Sequence, residues 1–283
     1  RRRHTRYPLV TGVQTCALPI YTESKATFIT TNIGKIAVYI SENASNNLPI
    51  IFLHGVYFDH HMWDEQVKRI KDRTVITIDM PFHGKSREIT KQNWSLTDCA
   101  HMLIEILDAL NIPKVIAIGH SWGSMTILRA ATIGVERFNS IGLCNMPLHQ
   151  ASRKQKIMFG LQHMLLSFRT FYTKQAGIAL FAAASLKRQP QLLDELMKSM
   201  NVLSNAEIKH IDKAVIIDAD DASHLFNELK IPIIGLKGNE DYVPILPNHV
   251  KTDIIDGGHI SPLEQPEQVF GFIQTILSSH TKP

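Results

Sequence analysis

The stretch KVIAIGHSWGSMTILRAATIG, residues 114–134, restricts the possible folds more than any other. It opens as an apolar, β-branched run and closes with the spacing of a helix. Between the two lies Gly119-His120-Ser121-Trp122-Gly123-Ser124. A strand that becomes a helix this abruptly needs glycine on both sides of the corner, because side chains there would hold the two backbones apart. Strand–helix alternation builds parallel sheets covered on both faces. The rest of the chain keeps that rhythm. ATFITT (26–31) and KIAVYI (35–40) read as a hairpin-like pair around Asn32-Ile33-Gly34. PIIFLHG (49–55), TVITIDM (74–80), SIGLCNM (140–146), IPIIGLKG (231–238) and VKTDIID (250–256) read as further strands. HMWDEQVKRIKD (61–72), SLTDCAHMLIEILDALN (95–111, with Ser95 as N-cap) and QPEQVFGFIQTILSS (265–279) read as helices.

The rhythm breaks once. Residues 148–217 are helical in character, show no strand, and include the Met/Phe/Leu-dense run KIMFGLQHMLLSFRTFY. A helical insert between two strands of one sheet packs over the C-terminal strand edge, where open α/β sheets bind ligands. The reading is therefore a core of residues 21–147 and 218–283 with a helical cap of residues 148–217.

Residues 1–20 are set aside. VTGVQTCALPI (10–20) resembles the in-frame translation of a sequencing-library adapter, and the whole segment is read as non-native to the fold. It holds four arginines and no acid, so without it 26 Lys and Arg face 26 Asp and Glu. A chain of zero formal charge gives no reason to expect nucleic acid or an anionic membrane as partner. Cys99 and Cys144 suggest neither a disulfide framework nor a metal site, and a reducing, cytoplasmic setting is expected. That setting assumes that no signal peptide was lost with the start of the chain. No apolar run approaches the length of a membrane helix.

A serine hydroxyl is a weak nucleophile and needs a base, which in turn needs an orienting acid. Ser121 in GHSWG has the strand–turn–helix setting of an activated serine. His259 in GGHISP and Asp241 in GNEDYVP each follow an apolar strand, and the order Ser121, Asp241, His259 is nucleophile, acid, base. Asp218, Asp220 and Asp221 are rival acids, with Asp221 read as N-cap of ASHLFNEL. The backbone N–H groups of Val56, after His54-Gly55, and of Trp122 are the expected oxyanion donors.

These residues resemble the α/β-hydrolase superfamily, in its capped branch of esterases, lactonases, carbon–carbon hydrolases, haloperoxidase-like enzymes, dehalogenases and epoxide hydrolases. The resemblance spans residues 26–279. It includes DMPFHGKS (79–86), similar to the family's D-x-P-G-x-G-x-S turn, with Phe82 where the family usually has Gly. It implies a mostly parallel eight-stranded sheet, helices on both faces, and a cap inserted after strand 6. It also implies no cofactor. Trp122 after the nucleophile resembles dehalogenase and epoxide-hydrolase elbows, but those use Asp; a serine forms an acyl ester instead. HGVYF differs from the HGGP loop of prolyl aminopeptidases.

The expected activity is hydrolysis of a small to medium apolar ester or lactone through an acyl-enzyme, by a monomer or homodimer. A carbon–carbon hydrolase, a perhydrolase or acyltransferase, and a non-enzymatic ligand sensor remain open. Tyr57, Met158, Phe159 and Phe168 are expected to line the substrate pocket. The cap's Arg153, Lys154, Arg169, Lys187 and Arg188 would suit a substrate carboxylate but are read as a solvated basic face. Asp59-His60-His61 is not expected to bind metal, because adjacent histidines point apart. His83 is read as structural and His54 as a brace for its loop.

Overall fold

The computed structural model describes residues 25–278. The adapter-like residues 1–20, Cys16 among them, lie outside the described residues. Eight strands form one sheet: β1 (Thr27–Thr30), β2 (Lys35–Ser41), β3 (Ile50–Leu53), β4 (Val75–Ile78), β5 (Val115–His120), β6 (Phe138–Cys144), β7 (Ile233–Gly238) and β8 (Lys251–Ile255). Their order is β1-β2-β4-β3-β5-β6-β7-β8. β2 pairs antiparallel with β1 and β4, and every later pairing is parallel. Every residue of β3, β4 and β5 is buried, as continuous apolar strands of a doubly covered sheet must be.

Helices α1 (Asp64–Val67), α2 (Leu96–Ala109) and α3 (Trp122–Ile133) link β3 to β4, β4 to β5 and β5 to β6 in turn. Ser95 caps α2 as expected, in a reciprocal capping box with Asp98. α4 (Arg153–Met164), α5 (Arg169–Leu180), α6 (Ala183–Arg188), α7 (Gln191–Asn201) and α8 (Asn205–Asp212) lie between β6 and β7, and a π-helical turn (Lys213–Ile217) continues α8. The short α9 (Leu225–Glu228) and α10 (Ser261–Glu264) precede the closing α11 (Pro266–Ser278). α2 packs on α3, whereas α1 packs on α11, and Phe272 and Ile276 of α11 crowd Gly142 of β6.

Two local expectations fail. The helix expected over 61–72 is a 3-10 turn (His60–Trp63) followed by α1. Asp59 accepts the His61 N–H and starts the turn, and three-residue bonds from Arg69 to Gln66 and Ile70 to Val67 end α1 early. Asp221 does not cap α9, whose N-cap is His224; its carboxylate accepts the Ser223 N–H and faces His149 instead.

Candidate active site

The corner after β5 is as tight as its glycines imply. A Cβ on Gly119 would lie 2.4 Å from the Gly123 carbonyl carbon, and one on Gly123 would lie 2.3 Å from the Leu53 carbonyl oxygen. Ser121 sits between them at φ 49° and ψ −110°, a conformation that costs a non-glycine residue energy. The neighbours lock it there. Its N–H donates to Cys144 O at 2.8 Å, and the Ser124 hydroxyl ties Gly119 O at 2.7 Å.

The loops after β7 and β8 bring two more side chains to the corner. His259 Nε2 is 2.9 Å from Ser121 Oγ, and His259 Nδ1 is 2.9 Å from Asp241 Oδ1. All three residues are buried. Burial by itself would raise the Asp241 carboxyl. The His259 contact, the Asn145 amide and the Val243 N–H outweigh it and hold the group below the usual carboxylate range. The rival acids are elsewhere: Asp218 pairs with Lys213, Asp220 with Arg129, and Asp221 with His149.

Three residues to which the sequence reading gave no role, one of them inside the elbow itself, fix this arrangement. Asn145, at φ 50° just after β6, donates its amide to Asp241 Oδ2 at 2.7 Å and to Gly258 O at 3.2 Å. Glu264, buried on α10, accepts the N–H groups of Gly258, Ile260 and Ala182. His120 approaches His259 O at 2.6 Å through Nε2. Burial, with His259 beside it, pushes His120 down to about 3, so its ring stays neutral and donates that bond.

The loop after β3 closes the other side. A Cβ on Gly55 would lie 3.2 Å from Ser121 Cβ, so Val56 follows directly on the serine's flank. Trp122 opens α3, where a helix leaves its first N–H groups without intrahelical acceptors. His54 and His83 brace this loop. The Met80 N–H donates to His54 Nε2 at 2.8 Å and the Tyr57 N–H to His83 Nε2 at 3.0 Å. Burial pushes His54 down to about 3 and His83 to about 4, which keeps both rings neutral acceptors. The Tyr57 hydroxyl, in turn, donates to the buried Asp212 at 2.5 Å, and Asp212 also meets His163 Nε2 at 2.8 Å.

A family model for the alpha/beta hydrolase fold matches residues 49–241. The chain belongs to the α/β-hydrolase fold family. This α/β-hydrolase is similar over 282 aligned residues to 3-oxoadipate enol-lactonase 1 of Acinetobacter baylyi, with 27% identity, covering 90% of this chain and 99% of the relative. The structure of an enol-lactonase from Burkholderia xenovorans superposes with a TM-score of 0.78 at 18% identity, covering 89% of this chain and 100% of that one. A thermophilic esterase from Thermogutta terrifontis gives 0.75 at 22%, covering 90% and 99%. The relatives of this hydrolase thus include esterases and lactonases, at low identity.

A cavity of about 390 Å³ lies between this hydrolase's Val56-Tyr57 loop and α4–α5. Phe159, Gln162, Leu165, Tyr172 and Ile178 line it from α4, the turn after it and α5, and Tyr242, stacked on His259 at 4.8 Å, lines it from the loop after β7. Its lining includes none of Ser121, Asp241 and His259; it reaches toward them through Val56, next to Gly55, and through Tyr242. Tyr57 and Phe159 line this cavity, whereas Met158 and Phe168 are 47% and 68% exposed and line no part of it. The inward positions of α4 are Lys156, Phe159 and His163, spaced i, i+3, i+7, and this turns Met158 outward. A second cleft, near 460 Å³, runs along Asp59, Glu65, Lys68 and Lys198; its lining includes none of Ser121, Asp241 and His259.

Asp59, His60 and His61 do come together, with possible donor atoms within 4.8 Å of one another. Each has a polar partner, although His60 Nε2 is buried without one. His60 Nδ1 meets Asp79 and its ring stacks on Tyr39, His61 Nδ1 meets Asp64, and Asp59 accepts from the His61 backbone. Phe82 takes φ 69° in the turn where the family usually places Gly, and its ring meets Trp94 and His210 of α8.

Proposed function

We propose that the protein hydrolyses uncharged carboxylic esters or lactones through an acyl-enzyme on Ser121. The observation that carries this reading is the continuous Ser121–His259–Asp241 chain of 2.9 Å contacts on a strained, strand-to-helix corner. Ser121 Oγ attacks the substrate carbonyl carbon as His259 Nε2 takes the hydroxyl proton. Asp241 holds the imidazole by Nδ1 and stabilises its cation. The N–H groups of Val56 and Trp122 hold the oxyanion. Collapse breaks the carbonyl–oxygen bond, and the leaving alkoxide takes the proton from Nε2. Water then attacks the acyl-serine, gives its proton to His259, and releases the acid as the proton returns to Oγ. Every step uses groups of this chain and water.

The cavity wall supports an uncharged substrate. Its lining contains no Lys, Arg or His, and behind Tyr57 lies the carboxylate of Asp212. A substrate carboxylate would find no basic side chain in that wall to pair with and would lose its hydration there. Apolar acyl or aryl groups fit the Phe159, Leu165 and Ile178 wall.

The test is a series of p-nitrophenyl esters from acetate to laurate, with simple lactones, on wild type and Ser121→Ala. Wild type is expected to turn over the neutral esters, and butyrate far faster than the hemisuccinate. Ser121→Ala is expected to lose about a thousandfold or more in kcat. Turnover that survives the substitution overturns the mechanism, and equal turnover of butyrate and hemisuccinate overturns the uncharged substrate.

A further inference from the structure

The zero formal charge of residues 21–283 conceals a separation. Residues 149–193 hold seven Lys and Arg and no Asp or Glu, while the rest of 21–283 holds 19 basic against 26 acidic residues. None of those seven cations forms an ion pair with a carboxylate among the described residues. Arg169 is spent on the carbonyls of Met200 and Leu203 and on Asn205. Arg153, Lys154 and Lys174 are exposed beside the outer faces of α4 and α5.

Those outer faces are apolar. Ile157, Leu161, Met164 and Phe168 are 55–73% exposed, and they fall at i, i+4, i+7 and i+11, one stripe along α4 and into the next turn. Phe171 and Ile178 continue it on α5 at 51% and 55%. A soluble helix normally hides one such face and wets the other; α4 turns Phe159 inward and still shows an apolar stripe outward. Leu165 and Ile178 belong both to this exposed surface and to the lining of the cavity, so the patch runs without a break into the cavity mouth.

We propose that the outer face of α4–α5 docks on an anionic phospholipid surface, with the cavity mouth turned toward the lipid. The apolar stripe buries itself at the headgroup–acyl boundary while the flanking cations meet lipid phosphates, the pattern of an interfacial helix. A second copy of the same face is the poorer occupant, because it would set one unpaired basic cap against another. No helix of the described residues is long and apolar enough to cross a membrane, so the contact lies on the surface. Apolar esters would then partition from the bilayer into the cavity; that extension alone rests on the reading of Ser121 as nucleophile.

The experiment is co-sedimentation of the full chain with vesicles of equimolar phosphatidylglycerol and phosphatidylcholine, and with phosphatidylcholine alone. Using Ser121→Ala for the binding runs separates docking from turnover. Binding is expected to the anionic vesicles, weaker by about tenfold on the neutral ones, and reduced by added salt. The double substitutions Leu161→Ser/Met164→Ser and Lys154→Glu/Lys174→Glu are each expected to weaken it by about tenfold or more. Both leave hydrolysis of dissolved p-nitrophenyl acetate unchanged, which shows that the variants fold. No binding to either vesicle overturns the proposal, as does binding that both doubles leave intact. A concentration-dependent dimer in light scattering, dissolved by Leu161→Ser/Met164→Ser, also overturns it and assigns the face to a second copy.

Discussion

α3 and α4 are both twelve-residue helices, yet ten residues of α3 are buried and none of α4. α3 is wedged between the sheet and α2, and its first turn is Ser121's support. α4 rests one edge on the cavity and gives the rest to the outside. The contrast separates two tasks within one chain. Around α3 a backbone conformation that costs energy must be held in one place, so every neighbour is packed and fixed. Along α4 no residue is buried, and packing constrains the side chains far less.

Two glycines test this contrast from opposite sides. Gly123→Ala puts a Cβ 2.3 Å from Leu53 O, a backbone atom that cannot turn away. The expected cost is about 3 kcal/mol, a fall in Tm of roughly 6–12 °C. A Tm within about 2 °C of wild type would show that the corner is looser than its distances imply. The complementary substitution is the smallest effect and comes last.

Asn145→Gly removes the amide that holds Asp241 while keeping a residue suited to φ 50°. Loss of a hydrogen bond to a charged group predicts a ten- to hundredfold lower kcat, by about 1.5–3 kcal/mol, with KM little changed. A rise in KM with kcat intact would assign Asn145 to substrate binding instead.

The third expectation concerns pH. His54, His83 and His120 are held neutral in the folded core, with values pushed down to about 3, about 4 and about 3, against about 6.5 unfolded. Below about pH 6.5 the unfolded chain binds protons that the folded chain refuses. Stability therefore falls as pH drops from there toward about 4, by up to about 1.4 kcal/mol per unit for each histidine. Thermal melts across that window should show a steep decline. A flat Tm would mean that all three rings accept their protons in place.

Gly160→Ala closes the series. Nothing lies within 4 Å of where its Cβ would stand, so the added methyl lowers only the freedom of the unfolded chain. A gain of about 0.5–1 kcal/mol is expected, read as a Tm rise of a few degrees. A loss there would mean that α4 is as constrained as α3 and would end the distinction between the two.

The sequence carried the alternation, the elbow at Ser121 and the strand-end placement of Asp241 and His259, because each is a local pattern. Asn145, Glu264 and His120 were invisible for one physical reason. Each has a distant partner, 96, 82 and 139 residues away, that the fold brings near, although Glu264 also accepts from Gly258 and Ile260, six and four residues away. Asp212 shows the same limit: nothing in NAEIKHID announces a carboxylate that the Tyr57 hydroxyl finds across 155 residues. Net charge misled differently. A sum of zero erased the separation of sign that the fold then displays on one face. On α4 the apolar residues were read as pocket lining, but a helix with apolar residues on every side does not say from sequence which side faces in.

The His259 loop has one consequence for how the base is held. The His259 N–H donates to Leu180 O at 2.7 Å, and Glu264 clamps Ala182 N–H together with Gly258 N–H. The proposed base therefore hangs from the last turn of α5. The position of the imidazole depends on the end of a helix that lies between β6 and β7 in the chain, as well as on its own loop.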